Sequence, residues 1–261
     1  MRIVCWNVRR ALHKKVDLLT DLHPDIAILS EVASPEVLES KGRNSLAEQM
    51  EWAGTNPESG LGVVGFGGAK VSPASEQRDR RRYIFPLQVS THNSAVHFNL
   101  LASWPRRDRG KPKPSEMVPP LSDDCYLLSS ALKTYDQWLR SAPTVVAGDF
   151  NNNVNFKKVP KSSPRNHQLS LTMLDDIGLV SAYHEFKQEE QGSETKNTFF
   201  QHFQTIKQSH IDYCFIPKAW IPALTNVEVG SFADWVQNRI SDHVPLIVDL
   251  DEAILASVVT K

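Results

Sequence analysis

Five short apolar runs in this chain each end or begin at a small group of polar residues. Met1–Trp6 runs into Asn7, and Asp25–Leu29 runs into Ser30 and Glu31. Thr144–Ala147 runs into Gly148, Asp149, Phe150 and Asn151. His210, Ile211, Asp212 and Tyr213 open a fourth stretch, and Ser241, Asp242 and His243 precede Val244–Leu250. Apolar runs of this length read as buried strands. Acids and amides at the tips of several strands can meet at one point. The pattern therefore constrains the chain to a sheet-based fold.

The remaining elements follow from periodicity and punctuation. Helical spacing is expected over Ala11–Leu22, Pro35–Leu38, Ser45–Trp52, Asp123–Leu139 and Leu169–Ile177, the last closed by Gly178. Strands are expected over Arg2–Asn7, Asp25–Leu29, Leu61–Phe66, Tyr83–Val89, Val96–Ala102, Thr144–Ala147, Thr198–Phe203, Ile211–Ile216, Val227–Gly230 and Pro245–Leu250. Strands outnumber helices, and helices recur between them, which is an α/β layout with mixed strand directions. No long linker interrupts the 261 residues, so a single domain over 1–261 is expected.

Sixteen prolines and no repeat period exclude a helical solenoid. The formal net charge of -1 supplies no global field toward nucleic acid. The charge is uneven, however. Basic islands lie at Arg78, Arg80, Arg81 and Arg82, at Arg106, Arg107, Arg109, Lys111 and Lys113, and at Lys157, Lys158, Lys161 and Arg165. Cys5, Cys125 and Cys214 are too few and too scattered for a disulfide framework or a zinc knuckle. No apolar stretch is long enough to span a bilayer, and the first residues lack a signal-peptide layout. The expected compartment is the cytoplasm, with no membrane and no obligate protein partner.

Hydrolysis of a phosphodiester needs charge neutralisation, an oriented water and donors for the phosphoryl oxygens. A divalent ion such as magnesium takes oxygen ligands, usually only one or two of them protein carboxylates. Asn7, Glu31, Asp149, Asn151, Asp242 and His243 supply residue types for every part of that requirement.

Taken in order, Trp6-Asn7, Leu29-Ser30-Glu31, Gly148-Asp149-Phe150-Asn151, His210-Ile211-Asp212-Tyr213 and Ser241-Asp242-His243 resemble the signature of the endonuclease/exonuclease/phosphatase superfamily. The resemblance implies a four-layer α/β/β/α sandwich of two packed mixed sheets. It implies an Mg2+- or Mn2+-dependent phosphoesterase using in-line attack by water. Carried over by motif, Glu31 binds the metal with Asn7 beside it. Asp149 orients or activates the water, and Asn151 donates to the phosphate. His243 contacts the phosphate and stabilises the transition state, or acts as a base, and Asp212 fixes its tautomer. Asp242 holds a second ion or a water of the metal.

One segment departs from the family pattern. Leu101-Ala102-Ser103-Trp104-Pro105 has Ser103 and Trp104 where members carry a His or Tyr, so protonation of the leaving group falls to the metal's hydration shell or to an unassigned residue. Trp104 can stack on a base or sugar, and Arg106 and Arg81 can clamp phosphate. His167 and His210 are further substrate-binding candidates. Gly60-Leu61-Gly62-Val63-Val64-Gly65 has dinucleotide-binding spacing but no helix behind it, and is set aside. The expected activity is a nuclease acting on DNA or RNA. The alternatives are a phosphatase or phosphodiesterase acting on a small-molecule, lipid or protein–DNA phosphoester, and a catalytically weak nucleic-acid-binding member of the same family.

Overall fold

The computed structural model describes residues 1–75, 83–92, 96–105, 127–156, 160, 163 and 165–259. In chain order the strands are β1 (Arg2–Asn7), β2 (Ile26–Val32), β3 (Met50–Asn56), β4 (Ser59–Gly65), β5 (Lys70–Pro73), β6 (Ile84–Ser90), β7 (His97–Ser103), β8 (Thr144–Asp149), β9 (Leu179–Ser181), β10 (Phe199–Phe200), β11 (Gln208–Ser209), β12 (Asp212–Pro217), β13 (Leu224–Val229) and β14 (Leu246–Leu250). The α-helices are α1 (Val16–Thr20), α2 (Pro35–Ser40), α3 (Asn44–Glu48), α4 (Leu128–Thr134), α5 (Asp136–Leu139), α6 (His167–Asp176), α7 (Ala182–Lys187) and α8 (Glu252–Val259).

Two six-stranded mixed sheets form the centre, in the orders β13-β14-β1-β2-β4-β3 and β5-β6-β7-β8-β12-β9. Each has one parallel pair, β1 with β2 and β7 with β8; their other pairs are antiparallel. Alternation of side chains along each strand explains the layering. Ile3, Cys5, Ile26 and Ile28 of the first sheet join Leu100, Ala102, Val145 and Ala147 of the second in one buried core. Val4, Trp6, Ala27 and Leu29 point the other way, onto Leu19, Leu38 and Leu46 of α1, α2 and α3. Leu101, Val146 and Phe215 likewise meet Leu128, Leu132, Trp138, Leu171 and Leu174 of α4, α5 and α6. Central strands buried on both faces read as continuous apolar runs, which is why they were legible in the sequence. The result is the expected helix–sheet–sheet–helix sandwich.

Several expected elements differ. Ser45–Trp52 is not one helix: α3 stops at Glu48 and β3 starts at Met50. The tertiary reason is pairing with β4, where Met50 faces Val64 and Trp52 faces Gly62. The Trp52 indole lies over Gly54 and Gly60; a Cβ on Gly60 would stand 2.3 Å from it. The glycines of that run serve close packing in a strand, and no helix follows them. Ala11–Leu22 breaks into a 3-10 turn and α1 at Lys15, whose φ of -125° and ψ of 9° leave the helical region. Of Thr198–Phe203 only Phe199–Phe200 is strand. The expected Asp123–Leu139 helix divides at Tyr135 in its described part, and its start lies outside the described residues. Strands β5 and β9 and helices α7 and α8 carried no sufficient periodic signal. Helix α6 is capped by Asn166, whose side chain accepts the Gln168 N–H at 2.9 Å, and Gly178 follows its end at φ +79°.

Candidate active site

Parallel strands β1, β2, β7 and β8 all end at the same edge of the sandwich, and antiparallel β12 and β14 begin there. This topology brings together groups scattered from position 7 to 243. Asn7 closes β1 and Asp149 closes β8; Asp212 opens β12, paired in register with Asp149. Glu31 occupies a bulge in β2, where the register slips between Ser30 and Val32 and φ is +55°. A bulge re-aims a side chain that regular alternation would send elsewhere, and positive φ in a glutamate is conformationally costly.

Hydrogen bonds link these groups. The Asn7 Nδ2 donates to Asp149 Oδ2 at 2.9 Å and to Glu31 Oε1 at 3.4 Å. Asp212 Oδ2 lies 2.8 Å from His243 Nδ1, while His243 Nε2 faces Asp149 Oδ2 at 3.9 Å. Asp149 Oδ1 accepts the Asn151 N–H at 2.8 Å, across a backbone that turns at Asn151 with φ +50°. The Asn151 amide itself donates to the Pro105 carbonyl at 3.2 Å. Backbone anchors complete the edge. Ser241 Oγ donates to the Asn7 carbonyl at 2.7 Å and accepts the His243 N–H at 3.1 Å. Thr198 Oγ1 accepts the N–H groups of Ile211 and Asp212, both at 3.0 Å.

The site is buried, and burial sets its electrostatics. Asp149 is 1% exposed, and desolvation, aided by Asp212, raises its pKa to about 7 against the pull of His243 and Asn7. For His243, burial opposes the charge, but Asp212 and Asp149 outweigh it and hold the pKa at about 9. The imidazole is therefore a cation at neutral pH. Its Nδ1–H points at Asp212 and its Nε2–H faces Asp149.

Among the described residues, Asp149, Asp212 and His243 offer metal-ligand atoms all within 4.8 Å of one another. Asp212 Oδ1 is buried without a hydrogen-bond partner. A buried unpartnered oxygen normally has an explanation, and a bound cation is one that fits an oxygen-rich set. Glu31 and Asp242 stand outside that tight group. Asn7 turns its nitrogen to the acids, and its Oδ1 accepts the Arg9 N–H at 3.0 Å, so it links carboxylates in place of offering oxygen. Asp242 pairs with Arg9, Nε to Oδ2 3.4 Å.

Three substrate-binding expectations are corrected. Trp104 is 4% exposed and packs edge-on against Tyr83 in the inter-sheet core, because Ser103 and Trp104 follow the buried end of β7 inward. His167 is buried against Phe150 and Tyr213, and burial lowers its pKa to about 4. His210 is buried against Tyr183, its Nδ1 on the Lys196 carbonyl at 2.8 Å. Arg81 and Arg106 lie outside the described residues, as do the basic groups at 78–82, 106–113, 157, 158 and 161. Sequence reasoning missed Ser241 and Thr198 as backbone anchors, and it missed Arg9 and Lys15. The basic cluster Arg9, Arg10, Lys14 and Lys15 directly after Asn7 was the available signal.

Gly148 shows why the Gly-Asp-Phe-Asn motif begins as it does. Its φ is +132°, and a Cβ there would stand 2.2 Å from the Ser103 carbonyl oxygen. Gly148→Ala is expected to cost about 2–4 kcal/mol, from strain plus a backbone clash. Chemical denaturation would measure it, and a loss below about 1 kcal/mol would contradict the close approach of β7 to β8.

No protein-family model matches the sequence, and no curated protein does. Solved structures match over 96% of the chain. A 3'-5' exonuclease (NExo) from Neisseria meningitidis aligns over 100% of its own length, with 20% identity and a TM-score of 0.64. An AP endonuclease from Archaeoglobus fulgidus aligns over 99% of its length, with 14% identity and a TM-score of 0.64. An endonuclease/exonuclease/phosphatase from Beutenbergia cavernae aligns over 71% of its length, with 16% identity and a TM-score of 0.60. The chain has the endonuclease/exonuclease/phosphatase fold. Identities this low establish the fold alone. In the endonuclease/exonuclease/phosphatase fold of this chain, the acids and the histidine all stand at one end of the sandwich. Among the described residues, no helix is long and apolar enough to cross a membrane.

Proposed function

We propose that this chain is a metal-dependent phosphodiester hydrolase whose substrate is DNA or RNA. The observation that carries the reading is the convergence of Asn7, Glu31, Asp149, Asp212 and His243 at one sheet edge, where Asn7 bonds Glu31 and Asp149, Asp212 bonds His243, and His243 approaches Asp149 to 3.9 Å. Asp149 and Asp212, with Glu31 alongside through Asn7, would hold the cation; oxygen donors favour Mg2+ or Mn2+. The ion, when bound, supplies charge neutralisation at the phosphate.

The residues do the rest. Asp149, fixed by Asn7 and the Asn151 N–H, orients the attacking water and takes its proton. The water oxygen bonds to phosphorus as the bond to the leaving oxygen breaks in line. His243, oriented by Asp212, serves as a donor to the developing phosphoryl charge. Asp212 keeps its tautomer and ring orientation. Asn151, at the exposed rim beside Asp149, donates to a phosphate oxygen.

The test is a substrate panel of labelled single- and double-stranded DNA and RNA oligonucleotides and small phosphomonoesters, with Mg2+, with Mn2+ and with EDTA. Oligonucleotide cleavage that EDTA abolishes is the expected result. Release of phosphate from a small ester with every oligonucleotide intact would overturn the nuclease reading in favour of a phosphatase.

A further inference from the structure

Arg9 is a cation at the rim of an acidic pocket. The chain leaves β1 through three consecutive left-handed residues, Arg9, Arg10 and Ala11, with φ of 48°, 64° and 51°. That turn is tied to the site at both ends: Arg9 N–H donates to Asn7 Oδ1 at 3.0 Å, and Arg10 N–H donates to the Glu31 carbonyl at 2.9 Å. Lys15 Nζ adds hydrogen bonds to the carbonyls of Val8 and Arg10. Three non-glycine residues with positive φ persist only where the surroundings over-determine them. Here the product is the placement of one guanidinium. Arg9 Nε lies 3.4 Å from Asp242 Oδ2, and its guanidinium carbon sits 4.4 Å from the centre of the Phe203 ring. Arg239 stacks on the same ring at 5.1 Å, so Phe203 packs against two guanidinium groups.

The charges of the pocket are unevenly compensated. Asp212 and Asp149 both face the His243 ring, at 2.8 and 3.9 Å, while Glu31 meets the neutral Asn7 amide at 3.4 Å. Asp242 already has a cation of its own. We propose that Arg9 stands in for a second metal ion: by holding Asp242 it confines the pocket to a single divalent cation, bound on the Asp149 side. The inference rests on the metal-dependent reading above. A guanidinium contributes one positive charge without exchanging with solvent ions. It also repels a second divalent ion from Asp242.

Calorimetric titration of the full chain with MnCl2 tests this, independently of turnover. The wild type is expected to bind one ion. Arg9→Ala and the length-preserving Arg9→Gln are expected to bind two, the second about tenfold more tightly than any second ion on the wild type, as loss of a partly exposed neighbouring charge allows. Adding Asp242→Asn to either variant is expected to restore one. Circular dichroism confirms that each variant is folded. Two ions on the wild type, or one ion on both folded Arg9 variants, would overturn the proposal while leaving the metal-dependent reading standing. No Mn2+ bound by any of the proteins would overturn both.

Discussion

Asp149→Asn is expected to reduce metal-dependent oligonucleotide cleavage by about a thousandfold or more, with the fold intact. The substitution keeps Oδ1 and so keeps the acceptor for the Asn151 N–H at 2.8 Å. It replaces Oδ2, the atom that accepts from Asn7 and faces His243, with an amide nitrogen. The water loses its proton acceptor, and two donors then oppose each other where one bond stood. His243→Ala is expected to cost about a hundred- to a thousandfold, the usual scale for removing a preorganised donor to transition-state charge. Single-turnover rates on a labelled oligonucleotide, with circular dichroism as the folding control, measure both. Near-normal rates in either folded variant would refute the site assignment.

The metal-free protein is expected to lose stability as pH rises from about 5 to 9, and divalent cation is expected to restore it. Asp149 titrates at about 7 in the folded chain and near 3.8 when unfolded, so the folded state binds more protons between those values. His243 titrates at about 9 folded and 6.5 unfolded, with the same sign. Where the folded state holds the extra proton, stability falls with rising pH. The favourable contribution of His243 is complete below 6.5 and gone above 9. Ionising Asp149 in burial costs on the order of 4 kcal/mol, and deprotonating His243 removes about 3 kcal/mol. The two groups face each other, so these effects are coupled and do not add in full. Glu194, held down to about 2 by His184 and the Gly192 N–H despite its burial, contributes fully above the ordinary glutamate range and leaves this window undisturbed. Melting temperatures in EDTA across the window should fall steeply, and millimolar Mg2+ or Mn2+ should raise them most at the alkaline end. A flat profile in EDTA, with no response to cation, would contradict the electrostatics of the site.

How far the sequence could be read depended on burial. Strands β1, β2, β8 and β12 lie between two other strands with both faces covered, so their apolar runs were unmistakable. The edge strand β5, exposed or half-buried along its length, carries Lys70 and Ser72 and reads as loop. Trp52 reads as helical because a run of helix formers leads up to it, yet glycines 54 and 60 on the paired strands make room for its ring. Local pattern does not encode a partner from another segment.

The same division runs through the site. The ordered motifs, from Asn7 to His243, single out candidate side chains, and the structure brings Asn7, Glu31, Asp149, Asp212 and His243 together at one sheet edge. Burial then reassigned some of the candidates. Trp104 and His210 sit beside motif positions in sequence but turn into the core, and side-chain direction at a strand end depends on what packs over it. Arg9 belongs to a visible basic cluster, but nothing in its neighbourhood of sequence points to Asp242, 233 residues away along the chain, or to Phe203. The sequence by itself determined the runs that become the central strands, since burial on both faces leaves a local apolar pattern, and the resemblance of its ordered motifs implied the sandwich and the candidate acids. Only the tertiary structure decided which acid faces His243 and which faces Arg9, because charge pairing is fixed by distance in space.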